Sequence, residues 1–570
     1  MPIDPVTFQV ILSRLSGIVQ EMQDGVFRTG YSTIIRESQD ASCMLLDVHG
    51  DVIGEHVILP LHVASMSAVV RAVRRAFGDD MSAGDAFITN HPYEAGLPHS
   101  MDMAAITPVF CEGRLIAFCG SIAHKSDLGG VVPGTSYGNA RELFQEGIQY
   151  PALRYMRRGE VVRDVDAILA ANSRTPELVL GDLRGQIGSA RVGERRIAEL
   201  AARYGVDVLV AAFEQKQRVT EQRVRNAIAA WQDGVHEGEG FLDNDGVSAD
   251  RRVRIHVRIE KTGNRIHFDF SESDAQAIGP INIGPDLTLG CCAFAMIAMI
   301  DPALPNDGGL ARAIETTFRP GSILDPRFPA PRSAYTPTTN AVAEAVLQAL
   351  GGFVPERRLA RNGGAGGMSI AGRRADGTAF NQYELVGSAN GAIVGMDGLS
   401  GITVLLANAR SASIEVLESE FPTRVQRFEL IRDGGGPGEF RGGCSPRRAY
   451  EILADDVQIA LRGGLHLRPA EGAAGGKPGR LGSCTINPGT AAEQMLPNRF
   501  AGVRVHHGDV VVLEKAGGGG LGDPHRRAFE KIVDDVLDGY VSAEAAVADY
   551  GLDATRLRDA LDTALPLLTT

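Results

Sequence analysis

Cysteine is scarce in this sequence and follows no recognisable pattern. The 570 residues include seven cysteines, an odd number, and none of them forms a C-x-x-C pair. The adjacent Cys291 and Cys292 lie inside an apolar run, where thiols pack as small hydrophobic groups. A disulfide framework is therefore not expected to support the fold, and a reducing compartment, the cytoplasm, is predicted.

Positive charge and long apolar runs are also in short supply. Lys and Arg number 57 against 70 Asp and Glu, which gives a formal net charge of −13. Nucleic acids are bound by concentrated basic surfaces, so they are excluded as the expected partner. The most apolar stretch, residues 287–300, is shorter than the ~20 residues that cross a bilayer. The opening residues, MPIDPVTFQV, lack the basic and apolar regions of a secretion signal, so neither membrane insertion nor secretion is expected.

A phosphate-binding loop of the G-x-x-x-x-G-K-[ST] type is absent, although glycine is abundant. Many of the 68 glycines lie in three clusters, at 363–367, 434–443 and 517–522. The second and third clusters are not followed by the lysine and hydroxyl residue that bind phosphate and Mg²⁺. We interpret them as turns of a β-rich carboxy-terminal half, because glycine lets the backbone turn tightly. The chain is not expected to use ATP by itself.

Helical and strand patterns alternate along the chain. Asp4 is a suitable N-cap, Pro5 suits the first helical position, and apolar residues recur from Phe8 onward at spacings of three and four. Further helices are predicted from the same periodicity at 62–77, 176–231 with a break at Gly205, 287–299, 339–350, 528–537 and 543–550. Strand pairs are predicted within 42–55 and 103–123, and short alternating runs dominate beyond residue 253. These patterns predict an α+β fold of several subdomains, with largely antiparallel sheets, long helices and glycine-rich loops.

Composition changes along the chain predict three regions. Residues 1–240 combine the candidate site with the long helical stretch, and residues 241–515 are rich in strands and glycine loops. Residues 516–570 return to helix. No period of ~20 to 50 residues recurs, so a solenoid is not expected.

Two H-x-x-D pairs stand at the ends of neighbouring predicted strands. His99 and Asp102 follow a strand and a polar loop. His124 and Asp127 follow the next strand of the same hairpin region. If the strand ends adjoin, two imidazoles and a carboxylate converge, and this donor set suits a divalent transition metal with positions left open for water. Asp40, ahead of a third strand, is a candidate for a further oxygen ligand.

A purely structural role for these histidines stays open at this point. The H-x-x-D spacing also arises by chance, and a single loop histidine more often makes ordinary hydrogen bonds. His91 lies in the same loop as His99 and is a second candidate for chemistry. The remaining histidines considered are interpreted as structural, at positions 56, 62, 256, 267, 506 and 507.

Several unusual segments, taken together, carry a family resemblance. They include DPVTFQVILSRLSGIVQEM, TNHPYEAGLPHSMDMAAITPVF, GSIAHKSDLGG, ELFQEGIQYP, GDLRGQIGSARVGERRI, FDFSESDAQAIGPIN, SIEVLESEFPTRVQRFELIRDGGGPGEFRGG, GGGGLGDP and VLDGYVSAEAAVADYG. These segments resemble the hydantoinase B/5-oxoprolinase B family, which includes N-methylhydantoinase beta subunits and is related to the alpha subunit of acetone carboxylase. The resemblance extends over residues 3–555.

The resemblance implies a two-component, ATP-dependent hydrolase of cyclic amides. Family members act with a separate A-type partner that binds ATP and Mg²⁺ and phosphorylates the amide carbonyl, while the B-type component carries a metal. Related ketone carboxylases hold a metal through a His-x-x-Asp pair and a second histidine further on, which matches His99, Asp102 and His124. A divalent zinc, manganese or iron ion is therefore expected at these residues, with Asp40 as an added ligand. Asp127 or His91 is assigned to orienting or deprotonating the attacking water.

Two other functions remain open from the sequence. One is a subunit of an ATP-dependent ketone carboxylase, and the other is a non-catalytic scaffold for the A-type, ATP-binding partner. The expected assembly is a cytoplasmic hetero-oligomer with two or more copies of each component and a small cyclic amide as substrate. The identity of that amide is not encoded in any recognisable motif.

Overall fold

A computed structural model describes residues 3–56, 59–135, 137–248 and 250–568. Within these ranges the chain forms long helices and mostly antiparallel open sheets, so the predicted α+β class is confirmed. The division into regions at residues 240 and 515 stays a prediction. No helix of the described ranges combines the length and apolar character needed to span a bilayer.

Helices occur along the whole of the described chain, and the three longest lie within residues 5–229. In chain order they are α1 (Pro5–Thr29), α2 (Thr33–Arg36), α3 (Leu61–Phe77), α4 (Arg163–Ala171), α5 (Pro176–Tyr204), α6 (Val206–Ala229), α7 (Pro285–Ile300), α8 (Gly308–Arg312), α9 (Thr336–Phe353), α10 (Ile414–Glu420), α11 (Phe529–Leu537), α12 (Ala543–Tyr550) and α13 (Ala554–Leu568). Short 3-10 turns occur at Pro133–Thr135, Leu143–Glu146, Pro355–Arg357 and Pro524–Arg526.

The two longest helical predictions are confirmed, together with their ends. Asp4 caps α1 by accepting a hydrogen bond from the amide of Thr7 (2.9 Å), and Pro5 opens the helix. The stretch 176–231 consists of α5 and α6, which separate at Gly205. Gly205 has a φ of +88°, a backbone conformation that glycine adopts without steric cost.

The amino-terminal sheet is antiparallel throughout. Its strands are β1 (Ala41–Asp47), β2 (Val52–Glu55), β3 (Ala86–Thr89), β4 (Asp102–Cys111), β5 (Arg114–His124), β6 (Leu153–Arg157) and β7 (Glu160–Val161). They lie in the order β2-β1-β5-β4-β3-β6-β7. The hairpins predicted within 42–55 and 103–123 are β1–β2 and β4–β5, so both are confirmed.

Both faces of the amino-terminal sheet are covered by helices. Helices α1, α5 and α6 pack on one face, and α3 packs on the other. The central strands β4 and β5 are therefore buried on both sides, which explains why their sequences are apolar runs rather than alternating patterns.

A second sheet, the middle sheet, encloses the largest hydrophobic core. It consists of β8 (Gly234–Leu242), β9 (Val253–Thr262), β10 (Arg265–Asp269) and β11 (Ile314–Thr317), in the order β11-β10-β9-β8. The pair β10–β11 is parallel and the other pairs are antiparallel. Helices α7 and α9 supply much of the apolar surface that this sheet buries.

The carboxy-terminal strands form three sheets. Their bounds are β12 (Gly367–Arg373), β13 (Ala379–Glu384), β14 (Ser388–Ala389), β15 (Ser400–Ile402), β16 (Thr423–Leu430), β17 (Pro446–Ile452), β18 (Val457–Arg462), β19 (Ser483–Ile486), β20 (Gln494–Leu496), β21 (Arg499–Val505) and β22 (Val510–Glu514). The sheets are β13-β12-β18-β21, β14-β15 and β16-β17-β22-β19-β20, and the first and third share one hydrophobic core.

The glycine clusters bring backbone segments into direct contact. The amide of Gly436 donates to the carbonyl of Gly518 (2.8 Å), and the amide of Gly518 donates to the carbonyl of Gly443 (3.0 Å). A Cβ at Gly518 would lie 1.9 Å from the carbonyl oxygen of Asn390, and a Cβ at Gly517 would lie 1.7 Å from that of Gly434. The clusters at 434–443 and 517–522 are thus packed against one another, so side chains are sterically excluded there.

Candidate metal centre

The candidate ligands lie at one edge of the amino-terminal sheet, where β1, β5 and β4 are neighbours. Asp102, the first residue of β4, lies opposite His124, the last residue of β5. The amide of His124 donates to the carbonyl of Asp40 (3.1 Å), which places Asp40 beside it, ahead of β1. His99 lies in the turn before β4, where its carbonyl accepts a hydrogen bond from the amide of Asp102 (3.2 Å). The antiparallel register therefore gathers residues from three segments that are separated in sequence.

Three of these side chains converge on one point. Ligand atoms of His99, Asp102 and His124 all lie within 4.8 Å of one another. The Nε2 atom of His99 is 3.2 Å from Oδ2 of Asp102. The three residues are only 1%, 1% and 3% exposed, respectively. We name His99, Asp102 and His124 the three-residue cluster.

The cluster leaves buried polar atoms without hydrogen-bond partners. Among the described residues, neither ring nitrogen of His124 has a hydrogen-bond partner, and Nε2 of His99 and Oδ2 of Asp102 approach each other without forming a hydrogen bond. Each buried polar atom left unpaired costs about 1–3 kcal/mol, so several together in one place need an explanation. A divalent cation could be coordinated by atoms of all three side chains at once. Two imidazoles and one carboxylate also suit such an ion chemically, so the residues present fit a metal.

The electrostatic environment favours the protonation states that bind metals. Burial, with the nearby His99, holds the pKa of His124 well below its usual value, so this imidazole is neutral at physiological pH. Burial opposes ionisation of Asp102, but the adjacent imidazoles, His99 foremost, bring the pKa of Asp102 well below its ordinary range. A neutral imidazole and an ionised carboxylate are the ligand forms of these side chains.

Asp40 lies beside the cluster rather than within it. Its carboxyl group lines the same cavity as His99 and His124. Burial, reinforced by the negative charge of Asp102, raises the pKa of Asp40 to about 8. The role of Asp40 as an added ligand stays a prediction, and a nearby cation is what would hold its carboxylate in the ionised form.

His62 also lies near the cluster, although no sequence motif places it there. His62 is buried, its Nδ1 lies 3.1 Å from Oγ of Ser42, and its Nε2 has no hydrogen-bond partner in the described part of the chain. Burial lowers the pKa of His62 to about 4, and the charges of Asp102 and His99 also act on it. His62 therefore shares the electrostatic environment of the candidate ligands.

Side chains from the second half of the chain complete the site. The ring of Tyr383 stacks on His124 (centroids 4.8 Å apart), and the ring of Tyr335 meets His99 edge-on (4.9 Å). Nη1 of Arg462 lies 3.3 Å from Nδ1 of His99. No local motif connects these residues with the H-x-x-D pairs, so sequence reasoning missed them.

A cavity of about 60 Å³ opens between these groups. Its polar side chains include Asp40, His99, His124, Asn340 and Arg462. The rest is mostly apolar and includes Leu59, Leu61, Leu385, Val386, Val404, Leu406, Ala407 and Ala409. The glycine cluster at 363–367 also contributes to this wall through residues 364–367. A small ligand with an apolar body and a polar end matches such a cavity.

A larger cleft of about 520 Å³ lies on the other side of Tyr383. His124 and Tyr383 line both the cleft and the cavity. The outer part of the cleft includes Arg174, Arg374 and Glu420. The cleft and the cavity therefore share His124 and Tyr383 in their walls.

Asp127 and His91 are not among the cavity-lining residues of the described chain. Asp127 accepts hydrogen bonds from the amide of Arg174 (2.9 Å), from Nη1 of Arg174 (3.0 Å) and from the amide of Gly129 (3.1 Å). Nδ1 of His91 accepts from the amides of Tyr93 (3.3 Å) and Glu94 (3.2 Å). Their assignment to activating water stays a prediction, although the structure engages both in local bonds.

Comparisons with known proteins agree over nearly the whole chain. A protein-family model described as hydantoinase B/oxoprolinase matches residues 4–524. The B component of a putative D-/L-hydantoinase from Pseudomonas sp. (strain NS671) is 32% identical, with 97% of this chain and 96% of that protein aligned. The crystal structure of ATP-dependent caprolactamase from Pseudomonas jessenii superposes with a TM-score of 0.90 at 27% identity, covering 97% of each chain. The nucleotide-free acetone carboxylase structure shares the fold, with a TM-score of 0.84 at 18% identity over 96% of this chain and 80% of that one.

The family match spans well over half of the chain, and the hydantoinase relative aligns from end to end. Both facts agree with the segments singled out in the sequence. The chain belongs to the hydantoinase B/oxoprolinase family.

Proposed function

We propose that this chain is the metal-binding subunit of an ATP-dependent hydrolase that opens cyclic amides. The observation that carries the proposal is the buried three-residue cluster, two members of which, His99 and His124, line a mostly apolar cavity. Zinc, manganese or iron is the expected ion, because two imidazoles and a carboxylate are donors that these metals accept.

A separate ATP-binding partner of the hydantoinase A type is part of the proposal. The sequence has no phosphate-binding loop of the Walker type, so ATP chemistry is assigned to that partner. The hydantoinase relative is one component of a multi-subunit enzyme, and the caprolactamase is ATP-dependent, which supports this division of labour. We expect a hetero-oligomer with two or more copies of each component.

The residues of this chain would position the activated amide and the attacking water. His99, Asp102 and His124 would hold the ion, and Asp40 would add an oxygen ligand. The ion, when bound, would lower the pKa of a water molecule from 15.7 toward ~7. The leucine and valine side chains of the cavity would hold the ring of the amide and exclude other water molecules.

Reconstitution with the partner tests the proposal. The purified pair should hydrolyse caprolactam, a hydantoin or 5-oxoproline in a reaction that consumes ATP, and the chain should contain stoichiometric metal. His99→Ala should abolish ring opening and metal content together, whereas the control His267→Ala, on the outer face of β10, should keep both.

Three results would contradict the proposal. ATP consumption that depends on bicarbonate and a ketone would identify a carboxylase instead. Full activity of a metal-free preparation would identify a scaffold. Absence of ring opening for every cyclic amide offered would exclude the hydrolase.

A further inference from the structure

Arg462 places a buried positive charge in the wall of the candidate cavity. The residue is 3% exposed. Its Nη1 donates to the carbonyl of Ser333 (2.8 Å) and lies 3.3 Å from Nδ1 of His99. Its Nε has no hydrogen-bond partner in the described ranges. A buried guanidinium with an unused donor is costly unless a ligand completes its bonding.

Asn340 supplies a second unused donor in the same wall. It lies in α9, is 6% exposed, and its Nδ2 finds no hydrogen-bond partner among the described residues. Asn340 and Arg462 both line the cavity, together with the glycine backbone of 364–367. Gly367 is the register partner of Arg462 across β12 and β18, so this backbone lies beside that of Arg462.

The unpaired donors of the cavity favour an anion. The guanidinium of Arg462 is permanently charged, and both its Nε and Nδ2 of Asn340 lack hydrogen-bond partners among the described residues. A divalent cation at the three-residue cluster would add positive charge beside them. A buried charge requires a partner, so such a cavity favours a negatively charged ligand.

We infer that Arg462 and Asn340 form an anion subsite beside the three-residue cluster, which takes the phosphoryl group of a carbonyl-activated amide. The unpaired Nε of Arg462 and Nδ2 of Asn340 suit the oxygen atoms of a phosphoryl group, which are strong hydrogen-bond acceptors. The inference rests on the proposed function, since the ATP-binding partner would create the phosphoryl group. It adds the residues that recognise the activated form.

Binding of inorganic phosphate to the metal-loaded chain, without the ATP-binding partner, tests the inference. Isothermal titration calorimetry should detect phosphate binding to the wild type. Arg462→Gln and Asn340→Asp should each weaken that binding by at least about tenfold, because charged hydrogen bonds in a buried site are worth this much. Arg374→Gln, which removes a guanidinium from the outer cleft, should leave the binding unchanged.

The metal content and thermal unfolding of each variant are measured as well, to identify losses of phosphate binding that come from misfolding. Asn340→Asp is nearly isosteric, so it keeps the test informative if Arg462→Gln loses its metal. Removal of the metal should weaken phosphate binding, because the cation beside the subsite would also attract the anion.

Three outcomes would overturn the inference. In the first, the metal-loaded wild type binds no phosphate, and in the second, both cavity variants bind it as the wild type does. The third outcome is loss of phosphate binding in Arg374→Gln alone. Equal displacement of phosphate by acetate would assign the subsite to a carboxylate instead. None of these measurements uses ATP or ring opening, so failure of the anion subsite is distinguishable from failure of the proposed hydrolase.

Discussion

The backbone of His124 is hydrogen-bonded to that of Asp40, with 3.1 Å between the amide nitrogen and the carbonyl oxygen. This bond joins the end of β5 to the start of β1 and fixes the distance between two candidate ligands. Rigid strands therefore position the site, while the turn before β4 supplies only His99. Side chains on hydrogen-bonded strands are already held in place, so they lose little conformational entropy when a ligand binds.

His99→Ala and His124→Ala should each abolish metal binding. Each removes one of three donors and leaves the others unable to enclose an ion. Metal content, measured after dialysis, should fall from stoichiometric to near zero, and turnover of the reconstituted pair should fall with it. A variant that retains both metal and full turnover would exclude that histidine as a ligand.

Asp40→Asn should weaken metal binding without abolishing it. The amide removes the negative charge but keeps the shape of the side chain, and the three-residue cluster remains intact. Supporting groups of this kind change metal affinity by about 10–100-fold, and competition with a chelator measures the change. Asp51→Asn, remote from the cluster, is the matched control. Equal affinity in Asp40→Asn and wild type would show that Asp40 is not a ligand.

The convergence of His99, Asp102 and His124 could be predicted from the sequence, whereas the surroundings of the three-residue cluster could not. The H-x-x-D spacing and the hairpin periodicity are local, so they predicted which strand ends would carry His99 and His124. Arg462 and Tyr335 reach the cavity through long-range packing, which leaves no spacing signal in the chain.

Strand β8 shows why some elements were missed by the sequence patterns. Gly238 and Gly240 lie within it, and a Cβ at Gly238 would lie 1.9 Å from the carbonyl of Ala345 in α9. These glycines permit close packing of helix and strand, but they weaken the β-propensity that identifies a strand. β8 also crosses residue 240, the predicted limit of the first region.

Asp127→Ala should affect stability more than metal content. The Asp127 carboxylate accepts bonds from two backbone amides and from the Arg174 side chain, so its loss leaves several donors unpaired. We expect a loss of about 1.5–3 kcal/mol in the free energy of unfolding, which urea titration measures. A variant with unchanged stability but lost turnover would instead support the predicted role of Asp127 in activating water.

Glu146→Gln should change the pH dependence of stability. Burial raises the pKa of Glu146 from 4.5 to about 8. Between these values the folded state keeps a proton that the unfolded state loses, so the free energy of unfolding falls as pH rises. The expected slope from this group is about 1.4 kcal/mol per pH unit, and glutamine, which does not ionise, should remove it.

Urea unfolding at pH 5, 7 and 8.5 checks the Glu146 prediction. The stability of Glu146→Gln relative to wild type should increase steadily over this series. Glu142→Gln, on the exposed side of the same turn, serves as the control and should show no such trend. Parallel pH profiles for wild type and Glu146→Gln would contradict an uncharged, buried Glu146.

Gly518→Ala should destabilise the protein strongly. The added Cβ would lie 1.9 Å from the carbonyl oxygen of Asn390, so neighbouring backbones must separate. We expect a cost at or above the ~1–3 kcal/mol typical of overpacked sites. Gly17→Ala, in α1 with no described atom within 4 Å of the new Cβ, should instead stabilise by about 0.5–1 kcal/mol. Similar melting temperatures for the two variants would show that the glycine clusters tolerate side chains.

The candidate ligands and their enclosure come from opposite halves of the chain. Asp40, His99, Asp102 and His124 precede residue 125, whereas Tyr335, Tyr383 and Arg462 follow much later. During translation the donor atoms emerge from the ribosome well before the residues that bury them. An ion held by these donor atoms would therefore be enclosed by side chains of the later half. Exchange with ions in bulk solvent should be slow in the mature protein, because release requires the later half to move away.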